Sequence, residues 1–276
     1  MWFRQTSGGL PVSSNNDSIQ KTLIVAILLC LVCSVIVAGA AVGLRKEQQA
    51  NKLLDKQKNI LSAAGLLHGD KSIAEQFKQV TTRIVNLEAG RFATDAELAE
   101  IKAAGLDPKN FDQRKSSKTP ALSRALDGNE DPASIKRLEK YAAVYIVNND
   151  TGIETIVLPV HGYGLWSTLY GFIALKGDMD TIVGLGFYSH AETPGLGGEV
   201  DNPKWKALWE GKELYDDQGN VAITVVKGSA EAGNSHQVDG LSGATLTSRG
   251  VKNLVRFWVG DKAFGSLLTK LKEQGA

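Results

Sequence analysis

Residues 22–44, Thr-Leu-Ile-Val-Ala-Ile-Leu-Leu-Cys-Leu-Val-Cys-Ser-Val-Ile-Val-Ala-Gly-Ala-Ala-Val-Gly-Leu, form an uncharged run closed by Lys21 on one side and Arg45 on the other. About 20 such residues let an α-helix cross the hydrocarbon core of a bilayer. A cleaved signal peptide has a shorter apolar core and an A-x-A-like exit. Ala38-Gly39-Ala40 has that form, but the apolar run continues past it, so the run reads as an uncleaved anchor in the lipid bilayer. Cys30 and Cys33 both lie inside it, which leaves the rest of the chain without a disulfide framework. Three apart on a helix, the two thiols share a face, and cysteines from partner subunits would complete an iron–sulfur ligand set with them. Two thiols alone do not, and both are read here as small apolar side chains.

Basic residues flank the anchor unevenly, with Arg4 and Lys21 before it and Arg45, Lys46, Lys52, Lys56 and Lys58 after it. Counting them keeps the C-terminal part in the cytoplasm, although long translocated domains escape that rule. Composition elsewhere is that of an ordinary globular protein. With 31 basic against 30 acidic side chains the net charge is +1, which gives no electrostatic basis for nucleic acid as a partner.

The chain divides into a polar lead-in over 1–21, the anchor over 22–44, a helical stalk and N-terminal part of the soluble domain over 45–140, and the main domain over 141–276. Glu47 to about Leu67 has a helical pattern, and shorter helical pieces are expected at Ser72–Phe77, Ala93–Ala103 and Ser134–Tyr141. Strand patterns follow at Tyr141–Val147, Glu154–Val160, Thr168–Leu175, Thr181–Ser189 and Val221–Val226, rich in Val, Ile, Thr and Tyr. The early strands are too close together for crossover helices. The expected fold class is therefore α+β, a largely antiparallel sheet with Lys204–Leu208 and Ser248–Gly260 packed on it as helices. A doubly wound nucleotide fold is not implied, because Gly195-Leu196-Gly197 meets Val200 where G-x-G-x-x-G needs its third glycine.

The stretch that carries chemistry is Val238 to Ser248. Small residues and hydroxyls stand there before Val251, Leu254, Val255 and Trp258, which recur at i, i+3, i+4 and i+7, one buried stripe of a helix. Unpaired N–H groups at a helix N-terminus favour an anion, and Gly243 and Ala244 let backbone approach it. Ser or Thr in this position ordinarily serves only as an N-cap. Asp239-Gly240-Leu241-Ser242-Gly243-Ala244-Thr245, however, resembles the Asp-x-x-Ser/Thr-Gly-Ala-Thr signature of proteins that carry FMN through a phosphoester to the final threonine. That resemblance makes Thr245 the attachment residue, with Leu246 and Thr247 beside it, and gives Asp239 and Ser242 roles in loop geometry and recognition.

Three further segments fit the same reading. Gly164, Leu165 and Trp166, in Gly162-Tyr163-Gly164-Leu165-Trp166, set exposed backbone beside an aromatic ring of the kind an isoalloxazine packs on. His190 to Gly198 resembles the His-x-Glu-Thr-Pro-Gly-Leu-Gly loop of the same flavoproteins, with Glu192, Thr193, Gly195 and Leu196 able to face a ligand edge. Lys227 ends the Val221–Val226 segment and offers a cation near the phosphate or the flavin. His161, His190 and His236 lack metal-ligand spacing, no metal is expected, and His190 is read as structural.

These segments and the anchor together resemble the C subunit family of the Na+-translocating NADH:quinone oxidoreductases. The resemblance implies a single-pass protein of the bacterial inner membrane with its flavin domain on the periplasmic side, the reverse of the orientation that charge counting gives. It implies FMN held covalently, electrons relayed between cofactors of other membrane and flavoprotein subunits during Na+ export, and a Mg2+-dependent flavin transferase for maturation. The G subunit of Rnf-type electron-transport complexes shares the anchor and threonine motif but looks shorter between them. Two other classes compete. A hydrolase reading starts from Gly240-Leu241-Ser242-Gly243-Ala244, but Ala244 replaces the last glycine of G-x-S-x-G and little strand precedes it. A cofactor-free, anchored assembly protein would use 239–248 only as a cap.

Overall fold

The computed structural model describes residues 18–150 and 152–275, and the chain falls into two compact units, residues 1–53 and 54–276. The expected lead-in, Arg4 included, lies outside the described residues up to residue 17. In the first unit, α1 (Ile19–Gly43) begins at Ser18, whose side chain accepts the Lys21 N–H at 3.3 Å. At about 1.5 Å per residue α1 is about 37 Å long, more than the roughly 30 Å of hydrocarbon it would cross. Leu23, Ile27, Leu31 and Val35 are all more than half exposed. Water leaves these side chains with no apolar surface to bury against, and lipid supplies one.

α2 (Arg45–Ala63) starts as a charged, exposed helix, and its last turn buries Ile60, Leu61 and Ala63 in the second unit. There α3 (Ile73–Gln76), β1 (Val80–Asn86), β2 (Arg91–Phe92), α4 (Asp95–Ala103), α5 (Gln113–Lys118), β3 (Ser123–Ala125) and β4 (Arg137–Glu139) precede the long strands. These are β5 (Tyr141–Asn149), β6 (Gly152–Tyr163), β7 (Thr168–Lys176) and β8 (Ile182–Ser189). α6 (Pro203–Ala207), β9 (Thr224–Val225), β10 (Gln237–Val238), α7 (Thr245–Val259) and α8 (Gly265–Glu273) complete the chain. The main sheet runs β2-β1-β5-β6-β7-β8 with every pairing antiparallel, as the short connections between its strands require.

The main sheet is buried on both faces. Val144, Ile146, Ile156, Leu158 and Ile173 point into one core with Leu254, Trp258 and Leu267 of α7 and α8. Tyr145, Val157, Phe172 and Ala174 point into a second core with Ile60, Ile101, Phe111 and Leu122 from the N-terminal part of the unit. The segment from α2 to β3 is therefore the second cover of the sheet. Without it the uninterrupted apolar run Tyr141–Val147 would present one face to water.

The structure departs from the sequence expectations at four places. Residues 80–92 supply β1, which pairs along β5 from Val80↔Val147 to Asn86↔Tyr141, and the division expected at residue 140 falls inside this sheet-bearing unit. The helix expected at Ser134–Tyr141 is absent. Asp131 accepts the Ile135 and Lys136 N–H groups at 2.8 and 2.7 Å, competing with helical bonds, and Ser134 and Lys136 have φ of 54° and 66°. The Val221–Val226 strand shrinks to β9, paired in parallel with β10, while Val221 bridges Tyr215. The helix expected from Ser248 begins three residues earlier, at Thr245.

A fragment beginning at Tyr141 is expected to show no cooperative urea transition, because it lacks β1 and the second cover of the sheet. A fragment beginning at Leu54 is expected to unfold in one step, and circular dichroism of the two distinguishes them.

Candidate functional site

The N-terminus of α7 carries no side-chain cap. Its cap residue is Ala244 and the first helical bond runs from the Ser248 N–H to the Ala244 carbonyl, 3.0 Å, so the N–H groups of Thr245, Leu246 and Thr247 have no partner in the helix. The hydroxyls that would have capped it are used otherwise. Ser248 Oγ accepts the Leu241 N–H at 2.9 Å and closes the 241–248 loop, and Thr247 Oγ1 donates to Glu192 Oε2 at 2.7 Å. Thr245 and Ser242 remain exposed. Free amides, an exposed threonine and the positive end of a 15-residue helix suit a phosphate.

Glu192 joins the remaining segments. It is 5% exposed, and its carboxylate accepts the N–H groups of Leu165, Trp166 and Ser167 at 3.0–3.2 Å besides the Thr247 hydroxyl. Burial pushes its pKa up, but Thr247 and the amides of Trp166, Leu165 and Ser167 together outweigh that and hold it below the ordinary carboxylate value. The Gly164 N–H donates to the Ser167 carbonyl at 2.8 Å, which makes 164–167 a tight turn between β6 and β7, and Ser167 Oγ accepts the Ala191 N–H at 2.7 Å. Glu192, expected to offer hydrogen bonds to a ligand, meets protein donors here. Its oxygens are committed to protein donors, and its contribution is to hold the 162–167 turn and the 190–198 loop on α7.

Glycines make this closure possible. A Cβ on Gly197 would stand 2.5 Å from Thr247 Oγ1 and 2.8 Å from Glu192 Oε2, and one on Gly250 would stand 2.5 Å from the Tyr163 carbonyl. His190 accepts the Glu192 N–H on Nδ1 at 3.2 Å and meets Asp201 through Nε2 at 2.8 Å, the structural role expected of it. Thr193 is exposed, its carbonyl accepts from Leu196 and Gly198, and Gly195 turns with φ 76°. Leu196 lies over Gly243, where an added Cβ would come within 3.1 Å of it.

Asp239 holds the loop from the other side. Its carboxylate accepts the Ala230 N–H at 2.8 Å and its carbonyl accepts the Trp205 indole at 2.9 Å. The Gly240 N–H donates to Gly228, which places exposed Lys227 beside this loop, with no ion pair among the described residues. Around these polar anchors the surface is apolar. Trp166 is 65% exposed, and Leu246, Leu196 and Leu165 are 49%, 45% and 36% exposed. A free helix N-terminus beside an aromatic and three leucines fits a phosphate attached to a flat, largely apolar ring system. Ser242 has no histidine or carboxylate hydrogen-bond partner among the described residues, so no hydrolytic dyad forms on it.

All the residues expected at the site belong to these interlocking segments. Ser167 and Gly250 act there too with no sequence expectation behind them, because contacts across the fold leave no spacing in the sequence, while Ser248 and Gly197 lie inside the two motifs and take up contacts that the motifs do not specify. Arg249, exposed and one helical turn beyond Thr245, is a further cation on the same side of α7.

A model of the FMN-binding domain family matches residues 164–260, which contain every site residue expected from the sequence. The C subunit of the Na(+)-translocating NADH-quinone reductase of Pseudomonas aeruginosa is 53% identical over 267 residues, covering 94% of this chain and 98% of that one. Its counterpart from Vibrio parahaemolyticus is 47% identical, with 96% and 99% covered. Among solved structures, NqrC of Shewanella oneidensis superposes with a TM-score of 0.71 at 36% identity over 81% of this chain and 99% of its own. The C subunit from Parabacteroides distasonis superposes with a TM-score of 0.62 at 25% identity over 82% and 97%.

Replacing Glu192 by alanine leaves three amides and a hydroxyl without an acceptor and is expected to cost about 2–4 kcal/mol, against about 1 kcal/mol for Glu192→Gln, which retains an acceptor. Because the folded carboxylate titrates below its unfolded value, its stabilisation is present above the ordinary pKa of 4.5 and is lost as pH falls through the folded value. Urea unfolding against pH should show this acid limb shrinking in Glu192→Gln.

Proposed function

This chain belongs to the C subunit family of the Na(+)-translocating NADH-quinone reductases, and from that membership we propose that it carries FMN covalently, through a phosphoester on Thr245, and relays electrons within the complex. The observation that carries the proposal is the uncapped α7 N-terminus with an exposed threonine as its first residue. The amides of Thr245, Leu246 and Thr247 would receive the phosphate, with Lys227 and Arg249 as nearby cations. Trp166, Leu165, Leu196 and Leu246 would pack against the ring system, and Thr193 and the 193–196 backbone would meet its polar edge. FMN supplies one- and two-electron redox chemistry when bound, and the protein supplies its position and surroundings. Thr245 is an attachment point in this reading, with no part in the electron transfer.

α1 serves as a single-pass anchor in the bacterial inner membrane, and the flavin domain lies on the periplasmic side in this proposal. That placement accounts for a covalent tether, since a flavin lost outside the cytoplasm would not be replaced from a free pool. A separate flavin transferase would form the ester, and Ser242, exposed in the loop that Asp239 and Ser248 shape, is available for it to recognise. The family match extends along nearly the whole chain, which favours this family over the shorter Rnf G subunit.

Protein made together with the flavin transferase is expected to fluoresce at its own mass in a denaturing gel, and a proteolytic peptide spanning 237–249 should carry the added mass of FMN. Thr245→Ala should lose both signals while Ser242→Ala keeps the fold. Fluorescence persisting in Thr245→Ala would place the attachment elsewhere, and a colourless mature wild type would return the chain to the cofactor-free class.

A further inference from the structure

Beneath β6 lies a second cluster of polar groups that the proposed function does not use. Glu139 on β4 has a side chain with no exposure, and its Oε1 is 3.7 Å from Nε2 of His161 on β6, itself 8% exposed. Around them α5 contributes Gln113, Arg114 and Ser116. Among the described residues, seven buried side-chain polar atoms lack a hydrogen-bond partner; six belong to Gln113, Arg114, Ser116 and Glu139. The concentration of these atoms in one place marks a built polar interior and not scattered slack in the core.

Charge decides what such an interior can hold. Arg114, the nearby fixed cation, lies 3.5 Å over the Tyr170 ring and 5.2 Å from that of Tyr188, and it forms no ion pair with Glu139. His161 stacks on the same Tyr170 ring at 5.4 Å, with the Trp258 ring 4.9 Å away. The groups that face the pair are thus Arg114 and Gln113 from α5, Tyr170 from β7 and Trp258 from α7, with Tyr188 of β8 beyond Arg114. None of them neutralises a carboxylate. An unpaired buried carboxylate costs several kcal/mol, and an imidazolium there would be buried close to a guanidinium. The arrangement that avoids both charges has a neutral carboxylic acid beside a neutral imidazole.

We propose that Glu139 and His161 form a buried proton-binding site whose single proton resides on the Glu139 carboxyl at neutral pH, and that loss of this proton loosens the packing of β6 on α7. The link to that packing is direct. The Trp258 indole donates to the His161 carbonyl at 2.6 Å, and His161 stands two residues before Tyr163 and the turn held by Glu192. Burial pushes Glu139 up from 4.5 to about 8, while burial and then Arg114 push His161 down from 6.5 to about 3. Between the unfolded values of 4.5 and 6.5 the folded and unfolded chains each hold one proton on the pair, so its contribution to stability is flat there. Above 6.5 the folded chain keeps a proton that the unfolded chain has lost, and stability falls as pH rises towards about 8. Below 4.5 the unfolded chain takes up a second proton, and stability falls again as pH drops towards about 3.

Infrared spectroscopy of the full chain in detergent tests the site, and because the pair does not touch flavin the result stands apart from the outcome at Thr245. The difference between wild type and Glu139→Gln is expected to show a protonated-carboxyl band at neutral pH that titrates near pH 8. Imidazole nitrogen shifts, assigned with His161→Gln, should report a neutral ring over the same range. An ionised Glu139 at neutral pH, with or without an imidazolium beside it, overturns the proposal. Hydrogen exchange at the Trp258 indole should accelerate in wild type as the band titrates and stay constant in Glu139→Gln. Exchange that ignores the band removes the link to β6 and α7. Should Glu139→Gln fail to fold, the band and the indole exchange are followed against pH in wild type alone, with the same two outcomes.

Discussion

The site depends on one carboxylate. Glu192, in the loop after β8, lies buried where that loop meets the β6–β7 turn and the first turn of α7, and it accepts hydrogen bonds from both. A charged acceptor forms stronger bonds with N–H and O–H donors than a neutral one, and the four donors stabilise its ionised form against burial. The consequence for function is indirect. With Glu192 occupied by protein donors, the turn bearing Trp166 and the helix bearing Thr245 are fixed relative to each other, and neither has to be ordered by a ligand when it binds. Removing one oxygen acceptor would release elements distant in sequence, which is why the cost of losing it exceeds that of any one of its bonds.

The glycines of this region follow from the same constraint. A carboxylate on one loop can collect backbone donors from a turn and a hydroxyl from a helix only if the three segments approach within van der Waals distance, and Gly164, Gly197 and Gly250 each lie where a methyl group would collide with Glu192, Thr247 or the neighbouring chain. The sequence signal that resembles flexible, ligand-facing turn chemistry is in large part the signature of close packing. Positive φ at Gly195 and Gly243 shows that turn chemistry is present as well.

What can be read from the sequence divides along physical lines. The anchor, β5 to β8 and α7 announce themselves through local periodicity, and their placement as an antiparallel sheet with helices on it follows from short connections. β1 does not, because Val-Thr-Thr-Arg-Ile-Val-Asn carries three polar residues in succession, exposed at the strand's outer end, and its pairing with β5 is a contact between distant parts of the chain. Ser134–Tyr141 misleads for the opposite reason: helix-forming residues are overridden by the side chain of Asp131. At the site the motif around Thr245 is legible because loop and helix are contiguous. The partners of Glu192 are not, since hydrogen bonds to residues 25 to 55 positions away leave no periodic trace.

A shallow site creates a conflict between access and retention. The α7 N-terminus and the side chains of Trp166, Leu196 and Leu246 face outward, so a flavin set on them would keep an edge open, as transfer of electrons to and from other subunits requires. The same openness limits how much of the ring system the protein buries, and hence how tightly it can hold FMN without a bond. Deepening the pocket would improve retention by covering the edge that must stay reachable. The covalent ester proposed at Thr245 would separate the two demands: attachment would no longer depend on buried area, and the surrounding residues would need only to orient the ring. On this argument the exposed apolar surface beside an uncapped helix is the geometry a tethered electron carrier should have, and an enclosed pocket in the same place would have been evidence against one.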